Sequence, residues 1–557
     1  MKQLIECVPN FSEGRDPAVI AQITAAIAGV DGVKLLNTDP GKATNRTVVT
    51  FVGPPDAVIE AAFRAIKTAG ELIDMSRHKG EHPRMGATDV CPLIPIQGIS
   101  MEETAAYAKK LGERVGKELG IPVYLYENAQ ADKKRSNLSI IRSGEYEGYF
   151  KKIKLPEWKP DYGPAEFDAK RGATVIGARD FLVAYNINLN TTSTRRANAI
   201  AFDVREAGRT KKDAKGNVVK DEKGQPVNIP GTCKSVKAIG WFIEEYGVAQ
   251  ISMNLTNINI TPVHIAFEEV CKSADRRGLR VTGSELVGLI PLQCLLDAGK
   301  YFLKKQNRSL GISEDEILKI AIKSLGLDEL APFKPEERII EYLLSPPKSG
   351  KLGKMNLYDF AGLTASESPA PGGGSVAAYA GALGVGLGTM VANLSAHKPG
   401  WDDRCEEFSK PAEQGQKIMQ QLLELVDEDT LAFGKIMAAF GLPKGTEEEQ
   451  KIRSQAIQDA TLYATRVPFR TMELALESMT VIKEMAEKGN PNSISDAGVG
   501  ALCALAAVKG AYLNVRINAA GLKDKKAAEE FIQGGKEIQE KAVTMENEIL
   551  KIVESKL

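Results

Sequence analysis

Histidine is scarce in this chain: four occur among 557 residues, and two of them, His78 and His82, share one short segment. Lysine plus arginine equals aspartate plus glutamate at 72 each, so no overall charge favours nucleic acid or an acidic membrane. The seven cysteines form no C-x-x-C pair, which argues against structural zinc and for a reducing environment. No apolar run predicts a membrane span, and the N-terminus lacks a signal-peptide pattern. We therefore expect a cytoplasmic protein without membrane insertion.

What is present is the composition of an ordinary globular protein, with 43% hydrophobic and 26% charged residues. A length of 557 residues predicts three or four folding units at about 150 residues each. The first half shows the order β-α-β-β-α-β twice, which is typical of ferredoxin-like sheets. The first set is Leu4–Val8, Pro17–Ile27, Val33–Leu36, Arg46–Val52, Ala57–Leu72 and Val90–Pro95, followed by helix Met101–Leu119 and strand Val123–Tyr126. The second set is Phe181–Leu189, Ser193–Ala207, Val236–Ile243, Ala249–Leu255, Pro262–Arg277 and Leu279–Val281.

Two segments of the first half lack regular patterns. Lys151–Arg179, rich in Pro, Gly and charge, reads as a connector between the two sets, and Lys211–Val227 reads as an exposed hairpin. After Leu357 the strand patterns end, and apolar residues fall at helical spacing. Long helices with short connections predict an antiparallel bundle, in which Pro411 and Pro468 would each begin a helix. The predicted domains are residues 1–180, 181–330, a linker at 331–355, and 356–557.

The segment at residues 76–89 reads S-R-H-K-G-E-H-P-R-M-G-A-T-D, and its glycines and proline predict a loop. Histidine can give and take the same proton near neutral pH, which suits general acid/base chemistry. A solvated, charged connector is the alternative interpretation. A metal site at His78 and His82 is disfavoured, because their spacing aligns two ligands only on a helix.

Three further polar segments follow or connect strands, where α+β proteins commonly carry functional residues. Turn formation alone explains each of them, since Asn, Asp, Gly and Pro dominate turns without any ligand. Together with the histidine loop they favour a site. The segments are Val8–Gly14, Asn37–Arg46 and Gly163–Gly172.

The helical half has two candidate features. Pro369–Ser375, which reads P-A-P-G-G-G-S, precedes a helix and can hold an anion by its backbone N–H groups, or act simply as a flexible cap. It lacks the Gly-Lys-Ser/Thr of a nucleotide-binding loop, so no nucleotide is expected. Asp427 and Asp429 point to different sides of a helix and cannot form a carboxylate pair. The alternative to a functional aspartate is that both side chains are ordinary surface acids.

These segments together resemble the formimidoyltransferase-cyclodeaminase family, over essentially the whole chain and in the family's domain order. The combination is highly specific, whereas P-G-G-G-S alone is not. The chain departs from the better-known animal forms at Lys211–Val227 and within many helices. The matching stretches are C-V-P-N-F-S-E-G, H-K-G-E-H-P-R-M-G-A-T-D, R-G-A-T-V-I-G-A-R, L-V-G-L-I-P-L, P-G-G-G-S-V-A-A and V-D-E-D-T-L-A-F.

The resemblance implies an α+β N-terminal half of two ferredoxin-like subdomains, followed by an all-α helical bundle. It also implies a bifunctional folate enzyme of histidine degradation. The first reaction transfers the formimino group of N-formimino-L-glutamate to tetrahydrofolate. The second cyclises 5-formiminotetrahydrofolate to 5,10-methenyltetrahydrofolate and releases ammonia. Tetrahydrofolate, free or polyglutamylated, is then a co-substrate, with no metal and no nucleotide, and we expect a homo-oligomer.

The family's motifs assign roles to individual residues. His82, rather than His78, aligns with the transferase acid/base, and Asp429 aligns with the deaminase aspartate. Asp39 would either stabilise a protonated amidine or hold its own turn. The residues expected to bind substrate or folate are Gly163, Pro164, Ala165, Glu166, Phe167, Asp168, Ala169, Lys170, Arg171, Gly172, Asp39, Gly372, Gly373 and Gly374. The cations expected near the folate carboxylates are Lys133, Lys134, Arg135, Lys151, Lys152 and Lys154.

Three other functions compete with this interpretation. The helical half can be a non-catalytic oligomerisation module attached to an active transferase. The whole chain can be a folate-binding or storage protein without turnover. Zinc catalysis is the least favoured, because neither histidine nor cysteine spacing supports it.

Overall fold

The computed structural model describes residues 3–42, 44–80, 82–222, 224–344 and 352–557. The chain divides into two compact units. The described residues up to Ala298, together with Ile322–Leu344, form the first unit. Gly299–Ala321 and the described residues from Leu352 onward form the second. Of the linker expected at 331–355, residues 331–344 belong to the first unit and 345–351 lie outside the described residues.

The first sheet is built on a ferredoxin-like core. Its elements are β1 Leu4–Cys7, β2 Asn10–Phe11, α1 Pro17–Ala28, β3 Lys34–Gly41, β4 Arg46–Gly53, α2 Pro55–Leu72 and β5 Thr88–Gln97. β1 and β2 act as one interrupted strand between β4 and β5, and β3 lies beyond β4, all antiparallel. α1 and α2 bury their apolar residues against one face of this sheet. The predicted β-α-β-β-α-β order is confirmed here.

Two parallel strands extend the sheet beyond β5. The additional elements are α3 Met101–Arg114, the π-helical turn Val115–Leu119, β6 Val123–Glu127, α4 Leu138–Ile141, α5 Glu145–Lys152 and β7 Thr174–Ala178. β7 lies between β5 and β6 and is parallel to both. The interpretation of Lys151–Arg179 as an irregular connector was therefore wrong at its C-terminal end. All five residues of β7 are buried, and such a short apolar run beside Pro- and Gly-rich sequence gives no alternating pattern.

The second sheet has the same core order. Its elements are β8 Val183–Leu189, α6 Thr194–Val204, β9 Arg209–Thr210, β10 Asn228–Ile229, β11 Val236–Ile243, β12 Val248–Leu255, α7 Val263–Asp275 and β13 Val281–Val287. The strands run β11-β12-β8-β13, all antiparallel. β9 and β10 pair at the base of the exposed segment predicted at Lys211–Val227. The prediction of two ferredoxin-like subdomains is confirmed.

Short helices follow β13, and long helices make up the rest of the chain. They are α8 Leu292–Lys305, α9 Glu314–Leu325, α10 Pro335–Arg338, α11 Ile340–Leu344, α12 Leu357–Thr364, α13 Gly373–Ala396, α14 Cys405–Phe440, α15 Glu447–Lys488, α16 Ile494–Ala520 and α17 Lys525–Glu554. α13 packs against α14, α15 and α16, and α15 packs against all four of the other long helices, α13, α14, α16 and α17. The expected all-α C-terminal half is confirmed.

The two prolines do not begin helices as predicted. Pro411 lies inside α14 and Pro468 inside α15, which is one continuous helix. A proline within a helix leaves the carbonyl four residues earlier without its usual N–H donor. At Ala464 that carbonyl accepts a hydrogen bond from Asn518 Nδ2 at 2.8 Å, so a neighbouring helix satisfies it. The partner comes from distant sequence, which local patterns cannot reveal.

Small residues bring α13 close to its neighbours. A Cβ added at Gly384 would lie 2.8 Å from the Gly500 carbonyl oxygen, and one at Gly388 would lie 2.9 Å from Ile482 Cγ1. Gly373–Ala396 and Pro491–Ala520 are long and apolar enough to span a membrane by composition alone. The described structure buries 61% and 56% of their apolar windows, as in core helices of soluble proteins.

Candidate functional sites

The ring of His82 is held between a carbonyl and a guanidinium. His82 Nδ1 lies 2.7 Å from the Pro83 carbonyl oxygen. Arg46 Nη1 contacts both ring nitrogens and lies 3.0 Å from Nε2. Nδ1 can donate to the Pro83 carbonyl oxygen only in the tautomer that leaves Nε2 to accept from Arg46.

Burial, and then the positive charges of Arg46 and Arg142, lowers the pKa of His82 to about 3. Its imidazole is therefore neutral at physiological pH. A neutral imidazole can take a proton from an attacking amine, which is the first task of a general base.

A buried carboxylate organises the cations around His82. Asp89 is fully buried, and its Oδ2 lies 3.1 Å from Arg46 Nη1. Its Oδ1 accepts hydrogen bonds from Arg142 Nε at 3.2 Å and from the Met85 backbone N–H at 3.0 Å. Arg46 also donates to Asn10 Oδ1 through Nε at 2.9 Å. Asn10, Arg46 and Asp89 all lie within the polar segments noted from the sequence, but no local pattern there shows that the three residues meet.

His78 has a different environment. Its Nε2 lies 2.8 Å from the Asn45 carbonyl oxygen, and its Nδ1 accepts a hydrogen bond from Arg84 Nε at 3.2 Å. One ring nitrogen therefore ties the loop to the Asn45 backbone, and the other contacts Arg84 within the same loop. Arg84 in turn pairs with Glu147, at 2.6 Å between Nη2 and Oε1. In the described part of the chain, no three His, Cys, Asp or Glu side chains are grouped to hold a metal ion.

Asp39 lies in strand β3, not in the turn that the sequence predicted. Burial raises the pKa of its carboxyl, while Arg338 and a hydrogen bond with the Gly288 backbone lower it. Asp39 thus contacts the second ferredoxin-like subdomain at the end of β13. On the same strand, Asn37 Nδ2 is buried and has no hydrogen-bond partner among the described residues. A ligand acceptor there would satisfy it.

The predicted folate segment Gly163–Gly172 runs beside the histidine loop. The backbone N–H groups of Met75 and Ala87 donate to the carbonyls of Lys170 and Arg171, at 2.9 and 2.8 Å. A Cβ at Gly172 would lie 2.1 Å from the Met85 carbonyl oxygen, so only glycine allows this approach. The structure therefore brings these two predicted segments together.

Within that segment, some side chains are held by internal contacts and others are exposed to solvent. Asp168 Oδ1 accepts the backbone N–H groups of Lys170 and Arg171 at 3.0 and 2.9 Å. Phe167 packs against Tyr149, with ring centroids 5.9 Å apart. Residues 163–166 are exposed, as are Ala169 and Lys170. The segment thus combines internal support with a solvent-facing edge.

The predicted cations also divide into two groups. Lys152 Nζ donates to the Ile140 and Ile141 carbonyls, each at 2.8 Å, and Arg135 pairs with Asp161 at 3.2 Å. Both cations therefore have internal partners. The remaining members of the set are exposed: Lys133, Lys134, Lys151 and Lys154.

Asp429 lies against the first turn of α13. Its Oδ2 accepts hydrogen bonds from the Ser375 backbone N–H at 3.0 Å and from Ser375 Oγ at 3.3 Å. Burial raises the pKa of the carboxyl, and the Ser375 hydrogen bonds oppose that shift. The Gly-rich turn and the aspartate, far apart in sequence, therefore form one site in the helical unit.

The glycines of this turn make room for the carboxylate. A Cβ at Gly374 would lie 2.1 Å from Asp429 Oδ1, and one at Gly373 would lie 3.4 Å from Asn514 Nδ2. Asn514 on α16 is thus a polar neighbour that sequence reasoning missed, since no motif marks it.

The two acids beside Asp429 have other partners. Asp427 accepts the backbone N–H groups of Leu352 and Gly353, at 3.0 and 3.1 Å. Glu428 accepts the Tyr463 hydroxyl at 2.7 Å. The prediction that Asp427 and Asp429 face different sides of the helix is confirmed.

Three family models match successive parts of the chain. The formiminotransferase domain, N-terminal subdomain, matches residues 4–179, and the formiminotransferase domain matches residues 184–345. A third family model, described as formiminotransferase-cyclodeaminase, matches residues 356–537. The matches follow one another along the chain in the order that the sequence analysis expected.

Curated relatives cover the whole chain or part of it. The formimidoyltransferase-cyclodeaminase of Gallus gallus is 44% identical over 534 residues, covering 96% of this chain and 95% of the relative. The glutamate formimidoyltransferase of Thermoplasma acidophilum is 44% identical and covers 57% of this chain and 96% of the relative. The methenyltetrahydrofolate cyclohydrolase of Methylorubrum extorquens is 37% identical and covers 37% of this chain and 99% of the relative.

Proposed function

The chain belongs to the formimidoyltransferase-cyclodeaminase family, and we propose that its two units catalyse two successive folate reactions. The first unit transfers the formimino group from N-formimino-L-glutamate to tetrahydrofolate. The second cyclises 5-formiminotetrahydrofolate to 5,10-methenyltetrahydrofolate and releases ammonia. The observation that carries this proposal is the 44% identity to a bifunctional relative over 96% of the chain.

His82 is proposed as the proton carrier of the transfer. Attack of the tetrahydrofolate N5 amine on the amidine carbon forms a tetrahedral intermediate. The neutral imidazole takes the N5 proton and then gives it to the departing glutamate nitrogen, so no net proton is consumed. The lowered pKa of His82 keeps the imidazole unprotonated before the first step, and it also makes the ring a weaker base. Asp39 would stabilise the protonated amidine, and the exposed edge of Gly163–Gly172 would contact the folate.

Asp429 is proposed as the proton carrier of the deamination. Ring closure requires N10 to attack the formimino carbon, lose its proton and expel ammonia. A carboxyl whose pKa is raised by burial can take the N10 proton and pass it to the leaving nitrogen. The backbone of Gly372–Gly374 would hold the pterin or an anionic part of the folate.

Two substitutions separate the activities. His82→Ala should abolish formimino transfer, while added 5-formiminotetrahydrofolate is still deaminated. Asp429→Ala should leave transfer intact and accumulate 5-formiminotetrahydrofolate. Methenyltetrahydrofolate is followed by absorbance and ammonia is measured separately. Loss of both activities in either variant, or of neither, would contradict the assignment.

The relative from Methylorubrum extorquens supports a second candidate for the helical unit, namely methenyltetrahydrofolate cyclohydrolase activity. That reaction adds water to the methenyl carbon and releases no ammonia. The same assay distinguishes the two, because a cyclohydrolase consumes added methenyltetrahydrofolate. If Asp429→Ala changed neither reaction, the helical unit would be the non-catalytic module.

The proposal also covers the pathway, the compartment, the cofactors and the domain bounds. We place it in histidine degradation in the cytoplasm, with a lyase activity in the second unit and with neither metal nor nucleotide. We retain 1–180 and 181–330 as transferase subdomains, 331–355 as linker and 356–557 as the cyclodeaminase domain. Self-association is supported by exposed apolar residues on α16, among them Leu513 and Ile517.

A further inference from the structure

A half-buried carboxylate without a cationic partner lies on the second sheet. Glu285 of β13 accepts the Tyr246 hydroxyl at Oε1, at 3.0 Å. Its Oε2 accepts the side-chain amides of Asn186 and Gln250, each at 3.3 Å. In the described ranges, no lysine, arginine or histidine forms an ion pair with this carboxylate. Neutral donors therefore hold the negative charge in place without neutralising it.

The residues behind Glu285 fix its position. The register pairs Glu285 with Asn186 and Gln250 with Asn188, so these side chains share one face of the second sheet. Gln250 Nε2 also donates to Asn188 Oδ1 at 2.8 Å, and Trp241 Nε1 donates to Gln250 Oε1 at 3.0 Å. Asn188 and Gln250 are fully buried. The carboxylate is therefore preorganised, as a ligand-binding group needs to be.

Glu285 approaches Asp39, which belongs to β3 of the first sheet. Burial is the largest cause of the raised pKa of Asp39, and the charge of Glu285 adds to it. Burial and then Glu285 raise the pKa of the Tyr246 hydroxyl to about 12, and Asp39 contributes to that shift as well. Two carboxylates from different subdomains therefore share one cleft, where a cation bound between them would relieve their repulsion.

Asp39 and the His82 site lie on the same face of the first sheet. The register pairs Asp39 with Val48 and Val48 with Asn10, so the backbones of Asp39 and Asn10 are about 10 Å apart. Directly paired residues point to one face of a sheet. Arg46, two residues before Val48 on β4, points to that face too, where it binds Asn10 and contacts His82. A substrate group held at Asp39 is therefore on the histidine's side of the sheet.

Two hydrogen-bond donors near Asp39 are available to an anion. Arg338, whose charge opposes the pKa shift of Asp39, donates to the Gly288 carbonyl at 3.3 Å. No carboxylate contacts this guanidinium in the part of the chain that the structure describes. Asn37, two residues before Asp39 on β3, has a buried Nδ2 without a partner among the described residues. The cleft thus has carboxylates without a contacting cation and donors without an anion, so a ligand that fits it carries both charges.

We propose that this cleft binds N-formimino-L-glutamate, with its amidinium between Glu285 and Asp39 and a carboxylate on Arg338. An amidine is protonated near neutral pH, and its planar N–H groups match the oxygens of carboxylates. The corresponding N-formyl compound has nearly the same shape but an uncharged amide. Glu285 is therefore a specificity residue, because its charge favours the formimino compound over the formyl one. This inference rests on the proposed transferase function and names the residues that recognise its donor substrate.

The test compares two ligands on the full chain carrying Glu285→Gln. Calorimetric titration with N-formimino-L-glutamate and with N-formyl-L-glutamate measures binding without turnover. We expect the Kd of the formimino compound to rise roughly tenfold or more, as for loss of one charge-assisted hydrogen bond, with little change for the formyl compound. Glu285→Asp keeps the charge and should keep the preference. Glu245→Gln, the matched control, removes the same charge from an exposed position beside Tyr246 and should change neither Kd.

Arg338→Met should weaken both ligands, because both carry the same carboxylates. Equal weakening of the two ligands by Glu285→Gln would mean that Glu285 only supports the cleft, and it would overturn the proposal. So would an unchanged Kd for the formimino compound. The transferase assay separates this inference from the proposed function. A preference that Glu285→Gln abolishes, in a chain without formimino transfer, would keep the recognition site and remove the transferase. Normal transfer with an unchanged KM for formiminoglutamate in Glu285→Gln would do the reverse.

Discussion

At the scale of single residues, surroundings rather than spacing separate the two histidines of the loop. His78 uses both ring nitrogens to hold its loop, through the Asn45 carbonyl and Arg84. His82 faces the guanidinium of Arg46, which in turn pairs with the buried Asp89. The sequence predicted that a histidine in this loop would carry protons. It could not show the cation beside His82, because Arg46 lies on β4, far from the histidine loop in the sequence.

The environment of His82 makes a pH prediction. Burial is the largest cause of its low pKa and Arg46 the next, so Arg46→Met should raise the pKa from about 3 toward the ordinary value of 6.5. The wild-type imidazole stays neutral throughout the range from pH 5 to 8. In the variant a growing fraction is protonated as pH falls through this range, so transferase activity should decline on the acid side. Proton NMR of the histidine ring signals measures the shift directly.

The small number of histidines makes this measurement tractable. Four Hε1 ring signals are expected, one from each histidine, and His82→Gln identifies the one that belongs to His82. Arg64→Met is the control, since it removes an arginine that pairs with Glu60 on α2 instead. An unchanged His82 titration in Arg46→Met would show that Arg46 does not set its protonation.

At the scale of elements, the sequence predicted the strand and helix order well where amphipathic periods were regular. It missed β7, because T-V-I-G-A is a short, wholly buried strand without alternation. It divided α15 at Pro468, because the compensating donor, Asn518, lies on another helix. It placed Asp39 in a turn, although β4 pairs with that whole stretch. Each error concerns a residue whose structure is decided by distant partners.

The first turn of α13 gives a prediction about element geometry. Gly374→Ala would place a Cβ 2.1 Å from Asp429 Oδ1, so the carboxylate must move away from Ser375. We expect ammonia release to fall by roughly a hundredfold, as for a displaced catalytic group, with formimino transfer unchanged. Steady-state assays of both reactions on one preparation measure this.

Gly372→Ala is the matched control for that substitution. Among the described residues, a Cβ at Gly372 would meet only the Pro369 carbonyl oxygen, at 4.0 Å, so the site should keep its geometry. Equal losses in the two variants would mean that the flexibility of the turn, rather than its clearance for Asp429, matters for deamination.

At the scale of the whole molecule, two architectures joined in one chain match two reactions joined by one intermediate. In the sheet-based unit, the buried carboxylate of Asp89 pairs with Arg46, the cation beside the histidine. In the helical unit, the side chain of Asp429, which belongs to α14, lies against the N-terminal end of α13. Backbone N–H groups at that end favour negative charge. The sequence predicted both halves, but an apolar surface stripe could be recognised only after the helices had been packed.

That stripe lies on α16 and supports self-association. Its exposed fractions are 49% at Val499, 49% at Leu502, 63% at Leu513 and 72% at Ile517. Exposed apolar residues that share one helix face are typical of an interface between subunits. Leu513→Glu with Ile517→Glu places two charges in that interface, where unpaired charge is costly. We expect a smaller mass by light scattering at equal concentration, with retained helix content by circular dichroism. Gln533→Glu with Thr544→Glu adds the same charge to exposed positions of α17 and should leave the mass unchanged. If both pairs lowered the mass equally, net charge rather than the α16 stripe would control assembly.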